Sequence, residues 1–264
     1  MKNKLFIATF SEDALNVAKD FGIGLEINHT CISEDLDPSN RQNLLAQIRS
    51  DIAAAEIPDA SGLFLHGPFT EIHPAAIDYR ARQLGMERLN EAYETAAALG
   101  VNRMVVHTGW LPFIYFKGWQ AEKGAEFWQN FMRDKSSDFR IYVENVLEDE
   151  PYMMLDMMRQ IDHPAIKLCL DIGHANATTP PELPVEKWIE VLGTHIGHFH
   201  LHNNDGTGDS HSAFDRGSMD MNSIFSAIDD FCEDDVTLTI EARDARACLE
   251  WLHSRKYIYF SKGL

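Results

Sequence analysis

Apolar residues along this chain gather in short runs, each followed by a longer amphipathic stretch, and the alternation repeats from one end to the other. Runs at residues 5–10, 22–27, 62–66, 102–107, 139–144, 166–171, 196–201 and 236–241 read as strands. Segments near 12–20, 40–55, 75–99, 120–133, 151–161, 184–193, 220–232 and 244–256 carry apolar residues at three-and-four spacing and read as helices. In the third of these, Ala81, Leu84, Leu89, Ala92, Ala96 and Leu99 supply a packing face, and Gly100 is placed to end the helix. No Gly/Ser/Pro-rich linker or low-complexity segment interrupts the series. Strands alternating with helices in this way predict a parallel sheet with crossover helices, here an α/β fold of one (βα)8 TIM barrel spanning residues 1–264 as a single domain.

Polar residues break the apolar pattern at a consistent place, the end of a strand. The runs close on His66, His107, Glu144, Asp171, His200 and Glu241, with His174, Asp209 and His211 in the turns beyond. Carboxyl ends of successive parallel strands in a barrel share one mouth, so residues far apart in sequence meet there. Imidazole and carboxylate together suit zinc, manganese, cobalt or iron, and no cysteine stands among them to suggest a thiolate structural site. Asp171-Ile172-Gly173-His174 and Asp209-Ser210-His211 are weak patterns alone and draw their force from the other positions. Within His198-Phe199-His200-Leu201-His202 all three histidines share a strand face. His200 is taken as the ligand, His198 as a core residue one layer deeper, and His202 as a contact to substrate or solvent. Glu26, near the end of the second strand, faces either the site or a basic neighbour. The longest loops, 28–40, 108–118 and 203–220, fall on the same side of a barrel as these residues. Trp110, Phe113, Tyr115 and Phe214 in those loops form either an apolar wall for substrate or anchors for the loops themselves.

Composition narrows the partners. The chain has 264 residues, 45% of them apolar, which is ordinary for a globular protein. No run of eighteen apolar residues exists, and Met1-Lys2-Asn3-Lys4 leads straight into the first strand without a cleavable site, so a cytoplasmic protein with no membrane span is expected. Cys31, Cys169, Cys232 and Cys248 are scattered and read as reduced thiols. The net charge of −18 opposes a phosphate backbone, and nucleic acid is disfavoured as a partner.

The motifs Leu65-His66-Gly67-Pro68-Phe69, Val105-Val106-His107-Thr108-Gly109, Val143-Glu144-Asn145, Leu170-Asp171-Ile172-Gly173-His174-Ala175 and His200-Leu201-His202-Asn203 resemble those of the xylose isomerase-like barrel superfamily over nearly the whole chain. That superfamily includes sugar isomerases, epimerases and the endonuclease IV family. Similarity to its three-metal members implies one divalent ion on His66, His107 and Glu144, a second on Glu144, Asp171, His200 and Glu241, and a third on His174, Asp209 and His211. One to three ions per chain, zinc or manganese, are therefore expected. The loop Cys31-Ile32-Ser33-Glu34-Asp35-Leu36-Asp37 is acidic and lacks arginine where DNA-cleaving members penetrate the duplex. Past His211, Phe214-Asp215-Arg216-Gly217 departs from the glycine, acid, glycine pattern of many relatives, with Asp215 replacing the first glycine.

These features imply isomerisation or epimerisation of a sugar, polyol or sugar phosphate through a metal-stabilised enediolate. Glu144 and Glu241 would exchange the carbon-bound proton, His174 and His66 would orient substrate hydroxyls, and Trp110, His202 and Phe214 would line the substrate. Two alternatives stay open: an endonuclease IV-like multi-metal phosphodiesterase, favoured by the number of ligand types, and a non-catalytic metal- or sugar-binding module. The sequence leaves oligomerisation undecided.

Overall fold

The eight apolar runs become eight strands: β1 (Leu5–Ala8), β2 (Gly24–Ile27), β3 (Leu63–His66), β4 (Arg103–His107), β5 (Arg140–Glu144), β6 (Ile166–Asp171), β7 (Ile196–Leu201) and β8 (Thr237–Ile240). In this computed structural model they pair in sequence order, all parallel, and β1 closes onto β8. The structure describes residues 5–258; the Met1–Lys4 stretch that bears on a leader lies outside the described residues. No helix among the described residues is long and apolar enough to cross a membrane.

The register levels the polar strand ends. His107 pairs with Glu144, and Asp171 with His200, while Glu241 N donates to Leu201 O at 3.0 Å just past β8. Parallel pairing with these partners leaves the residues no choice but to share one rim.

Among the described residues the outer layer holds α1 (Ala14–Phe21), α2 (Arg41–Ala54), α3 (Tyr79–Leu99), α4 (Lys117–Met132), α5 (Tyr152–Gln160), α6 (Ile172–Thr178), α7 (Val185–Leu192), α8 (Met221–Phe231) and α9 (Ala245–Ser254). All eight expected helices are present, within a few residues at each end. The ninth, α6, is too short to show a period and is set instead by Asp171, whose carboxylate accepts from His174 N at 2.7 Å and caps it. Helix α3 starts at Tyr79 rather than residue 75, capped by Asp78, and ends at Gly100 with φ of 72°, as its left-handed turn requires. Its buried face runs through Gly85, Leu89, Ala92 and Ala96, and Leu84, assigned inward from sequence, is 46% exposed. The β3–α3 connection, residues 67–78, is also long, because the helix begins later than its apolar pattern suggests.

Two apolar regions hold the barrel. The larger lies between strands and helices around the fully buried Trp128, Trp188 and Phe199. The smaller fills the barrel itself with Phe6, Phe64, Val105, Tyr142 and Cys169. Gly24 makes room for it, because a β-carbon there would overlap the Phe6 ring. Below, the Arg103 guanidinium lies 4.4 Å from the Phe64 ring centre and closes the floor. Above, His198 stacks on Phe64 at 4.3 Å, and there the polar layer begins.

Candidate metal centre

His198 is the lowest member of that polar layer, and it is satisfied without an ion. Its Nε2 lies 2.9 Å from Thr239 Oγ1 and 3.2 Å from Glu26 Oε2, and its Nδ1 lies 2.6 Å from Thr237 Oγ1. Burial lowers its pKa to about 4, despite the Glu26 carboxylate, so the ring is neutral. The core role expected for His198 therefore fits its surroundings. Glu26, wholly buried, has no basic side chain on it other than histidine: it accepts from Thr239 Oγ1 at 2.6 Å and from His200 Nε2 at 3.0 Å. That contact turns the other nitrogen of His200 upward.

His200 Nδ1 then meets three carboxylates: Glu144 Oε1 at 3.1 Å, Glu241 Oε2 at 3.5 Å and Asp171 Oδ2 at 3.8 Å. Donor atoms of these four buried residues all lie within 4.8 Å of one another. Other imidazoles flank the group, His66, His107 and His174 beside Glu144 and His202 beside Asp171, yet three buried carboxylates this close remain costly, and a shared cation relieves them. The charges show the strain. Burial pushes the Glu241 carboxyl up, the like charges of Glu144, Glu26 and Asp171 adding to it against His200. Glu144 resists its burial and is held well below the ordinary range by His200 and His107.

Beside this group, His66 Nε2 and His107 Nε2 each lie 3.3 Å from Glu144 Oε2. That oxygen is buried and accepts no aligned hydrogen bond. His66 Nδ1 donates to Gly67 O at 2.9 Å, which orients the ring with Nε2 toward the carboxylate. A buried carboxylate oxygen flanked by two imidazole nitrogens and left without an aligned hydrogen bond is the donor set a divalent ion fits.

On the outer side, Asp209 Oδ2 lies 3.3 Å from His174 Nε2 and 3.0 Å from His211 Nε2. His174 Nδ1 donates to Asn145 O, and His211 Nδ1 to Glu241 O, both at 2.9 Å. His211 adopts a left-handed φ of 47°, a conformation that costs energy and is held by the Asn203–Ser212 bridge beside it. Gly217 must be glycine for that loop to close, since a β-carbon would overlap the Asn203 side chain.

All nine residues named as ligands from sequence thus stand at one mouth. The substrate assignments fare differently. Phe214 is buried against Phe225 and Trp251, between α8 and α9, and offers no surface to the mouth. Trp110 is buried, with Nε1 donating to Tyr115 O at 2.9 Å, so it anchors its own loop. Of the proposed wall, Phe113 is fully exposed and away from cover, and Tyr115 packs against the core. His202 has no solvent exposure and sits on Asp171 at 3.1 Å, which removes it from the substrate contacts.

Two aromatics that the sequence pattern did not single out take the place of that wall. Phe69 stacks on His107 with centroids 4.4 Å apart and planes 11° from parallel, and its edge meets His66. Phe10 meets His211 edge-on at 5.2 Å. Both are partly exposed, at 36% and 46%, and each leaves ring surface beside the polar cluster. Phe69 follows a strand end, which was the available signal, whereas the apolar pattern makes Phe10 the last residue of the first strand, which ends at Ala8.

Comparison with known proteins agrees with this geometry. The family described as xylose isomerase-like TIM barrel matches residues 15–258. An uncharacterized protein of Methanocaldococcus jannaschii is 27% identical over 206 residues, covering 70% of this chain and 65% of that protein, somewhat less than two thirds of its length. Among solved structures, a D-tagatose 3-epimerase-like protein superposes with a TM-score of 0.72 at 21% identity, covering 96% of each chain. A Thermus thermophilus protein soaked with ZnCl2 gives 0.72 at 23% identity over 95% of this chain and 97% of that one. D-psicose 3-epimerase of Clostridium cellulolyticum, solved with D-tagatose, gives 0.70 at 17% identity over 97% and 99%. With strand order, closed barrel and family match in accord, the chain belongs to the xylose isomerase-like TIM barrel family.

Proposed function

We propose that this protein is a divalent-metal-dependent isomerase or epimerase of a small sugar, polyol or sugar phosphate. The observation that carries the reading is the buried group of Glu144, Asp171, His200 and Glu241, three acids around one imidazole nitrogen at the barrel mouth. Glu144, Asp171, His200 and Glu241 would hold a divalent ion, zinc or manganese by their donor set, and its charge would supply polarisation of a substrate carbonyl and the neighbouring hydroxyl.

The chain's own groups do the rest. Glu144 and Glu241 are the carboxylates on which a carbon-bound proton leaves and returns. Glu26 holds His200 by Nε2, and Asn145 holds Asp171 by its backbone N and O at 2.8 and 2.9 Å, so the acids keep their spacing during turnover. His66 and His174 flank Glu144 at 3.3 and 3.5 Å and hold that carboxylate in place at the edge of the group. Phe69 and Phe10 present apolar ring surface to the C–H face of a sugar and shed water from the mouth. The sugar epimerase titles among the structural neighbours support this substrate class.

The adjacent donor group of His66, His107 and Glu144 favours a second reading, metal-assisted phosphoester hydrolysis. The acidic 31–37 loop and the charge of −18 count against DNA as its substrate. Turnover separates the two. Metal-loaded protein should interconvert at least one member of a panel of ketopentoses, ketohexoses and their phosphates, lose the activity on chelation and regain it with added Zn(II) or Mn(II). Phosphate release from model diesters without any sugar interconversion would overturn the proposal.

A further inference from the structure

The floor of the barrel carries charge of the opposite sign to its mouth. Arg103 and Arg140 are register partners at the start of β4 and β5, and Lys167 of β6 pairs with Tyr142 of β5. Like charges set side by side repel. Acids outnumber bases by 41 to 23 in this chain, yet none of these three cations forms an ion pair among the described residues. Arg103 donates through Nη2 to Ser61 O and Leu63 O, lies 4.4 Å from the Phe64 ring centre and 5.0 Å from that of Phe6, and keeps a buried Nε without a partner. Arg140 Nη1 reaches the carbonyls of Ser137 and Phe139, each at 3.5 Å, and Lys167 Nζ donates to Thr194 O at 2.7 Å. Arg103, Arg140 and Tyr142 line one open cavity of about 640 Å³ with Ser61, Asn102 and Asp138. The Tyr142 ring is held by Phe64, centres 5.4 Å apart, and by Gly197, where a β-carbon would overlap it. Its hydroxyl makes no hydrogen bond among the described residues. Burial keeps that phenol protonated, with the two arginines pulling the other way, so it stands as a donor. Two acids face the group: Asp138, which accepts from Ser136 Oγ and feels Arg140 at longer range, and Asp235, which acts on Tyr142.

We propose that the floor of the barrel binds a phosphate group, free or carried on a small sugar, with Arg103, Arg140 and Tyr142 as its donors. Two guanidinium groups and a phenol offer charge-assisted and neutral hydrogen bonds from three side chains, which suits a tetrahedral oxyanion that accepts from several directions at once. Arg103 is fixed by two carbonyls and two rings before any ligand arrives, so little ordering is lost on binding. A bound dianion also relieves the repulsion between the paired arginines. The net charge of −18 works against anions at long range, so the attraction is local and weakens with salt. The layer of Phe6, Phe64, Val105, Tyr142 and Cys169 separates this cavity from the metal ligands, and the inference is independent of the chemistry proposed for them.

Calorimetric titration of the metal-loaded chain tests it, with inorganic phosphate and ribose 5-phosphate as separate probes at constant ionic strength. The wild type should bind at least one of them, and the tighter of the two identifies the source. Arg140→Gln alters an exposed side chain and Tyr142→Phe removes a single hydroxyl; each should weaken that binding about 10-fold or more, with circular dichroism and bound metal unchanged. Phosphate held instead by metal at the other end is told apart by Asp171→Ala, which should leave the floor site intact. If Arg140→Gln does not fold, Tyr142→Phe decides alone. A wild type that binds neither probe at millimolar concentration, either folded floor variant binding like the wild type, or binding abolished by Asp171→Ala would each overturn the assignment.

Discussion

Glu26 shows how one side chain sets the chemistry of another. Its carboxylate accepts His200 Nε2–H and so presents Nδ1 to Glu144, Asp171 and Glu241. Glu26→Gln should weaken binding of the tightest ion about 10–100-fold in a chelator titration, with circular dichroism unchanged. Asp171→Ala removes an acid of the central group and should leave a folded chain with less bound metal on elemental analysis; unchanged metal content would contradict the central site. Glu241→Gln keeps shape and removes a proton acceptor, and turnover should fall about 10²–10⁴-fold with the fold intact. Residues such as His66 and Asp171 were legible in sequence because each follows an apolar run directly. His202 was misjudged because strand alternation gives only a face, and what buries the ring is the glycine at 173 on a different element.

At the scale of elements, the strands and most helices were legible because their periods outlast their boundaries. Short α6 was not, since it depends on the Asp171 cap rather than on a repeating face. The wall of loop aromatics failed for a related reason. Sequence shows that a loop carries large rings, whereas Phe214 turns inward to Phe225 and Trp251, and Phe69 turns to His107 only because of where each loop runs. Phe69→Ala should therefore raise KM for the turned-over sugar with bound metal unchanged, while Phe214→Ala should lower stability by roughly 3–5 kcal/mol in urea unfolding. Capping gives an independent check of α3. Asp78 accepts Arg80 N at 2.8 Å, and Asp78→Ala should cost about 0.5–2 kcal/mol without altering metal content.

For the whole molecule, charge and architecture point the same way. A net charge of −18 keeps polyanions at a distance, and the closed barrel gathers its buried acids at one end, where only cations relieve them. Duplex DNA should bind poorly at physiological salt in an electrophoretic shift. The central claim is proton transfer at a carbon beside a carbonyl, assisted by a metal held among Glu144, Asp171, His200 and Glu241. Turnover of a ketose by the metal-loaded protein in deuterium oxide, followed by NMR, tests that claim most directly. Deuterium should appear at the carbon next to the carbonyl, and Glu241→Gln should suppress its appearance. Efficient metal-dependent incision of abasic duplex DNA, with no deuterium entering any sugar of a broad panel, would contradict the account.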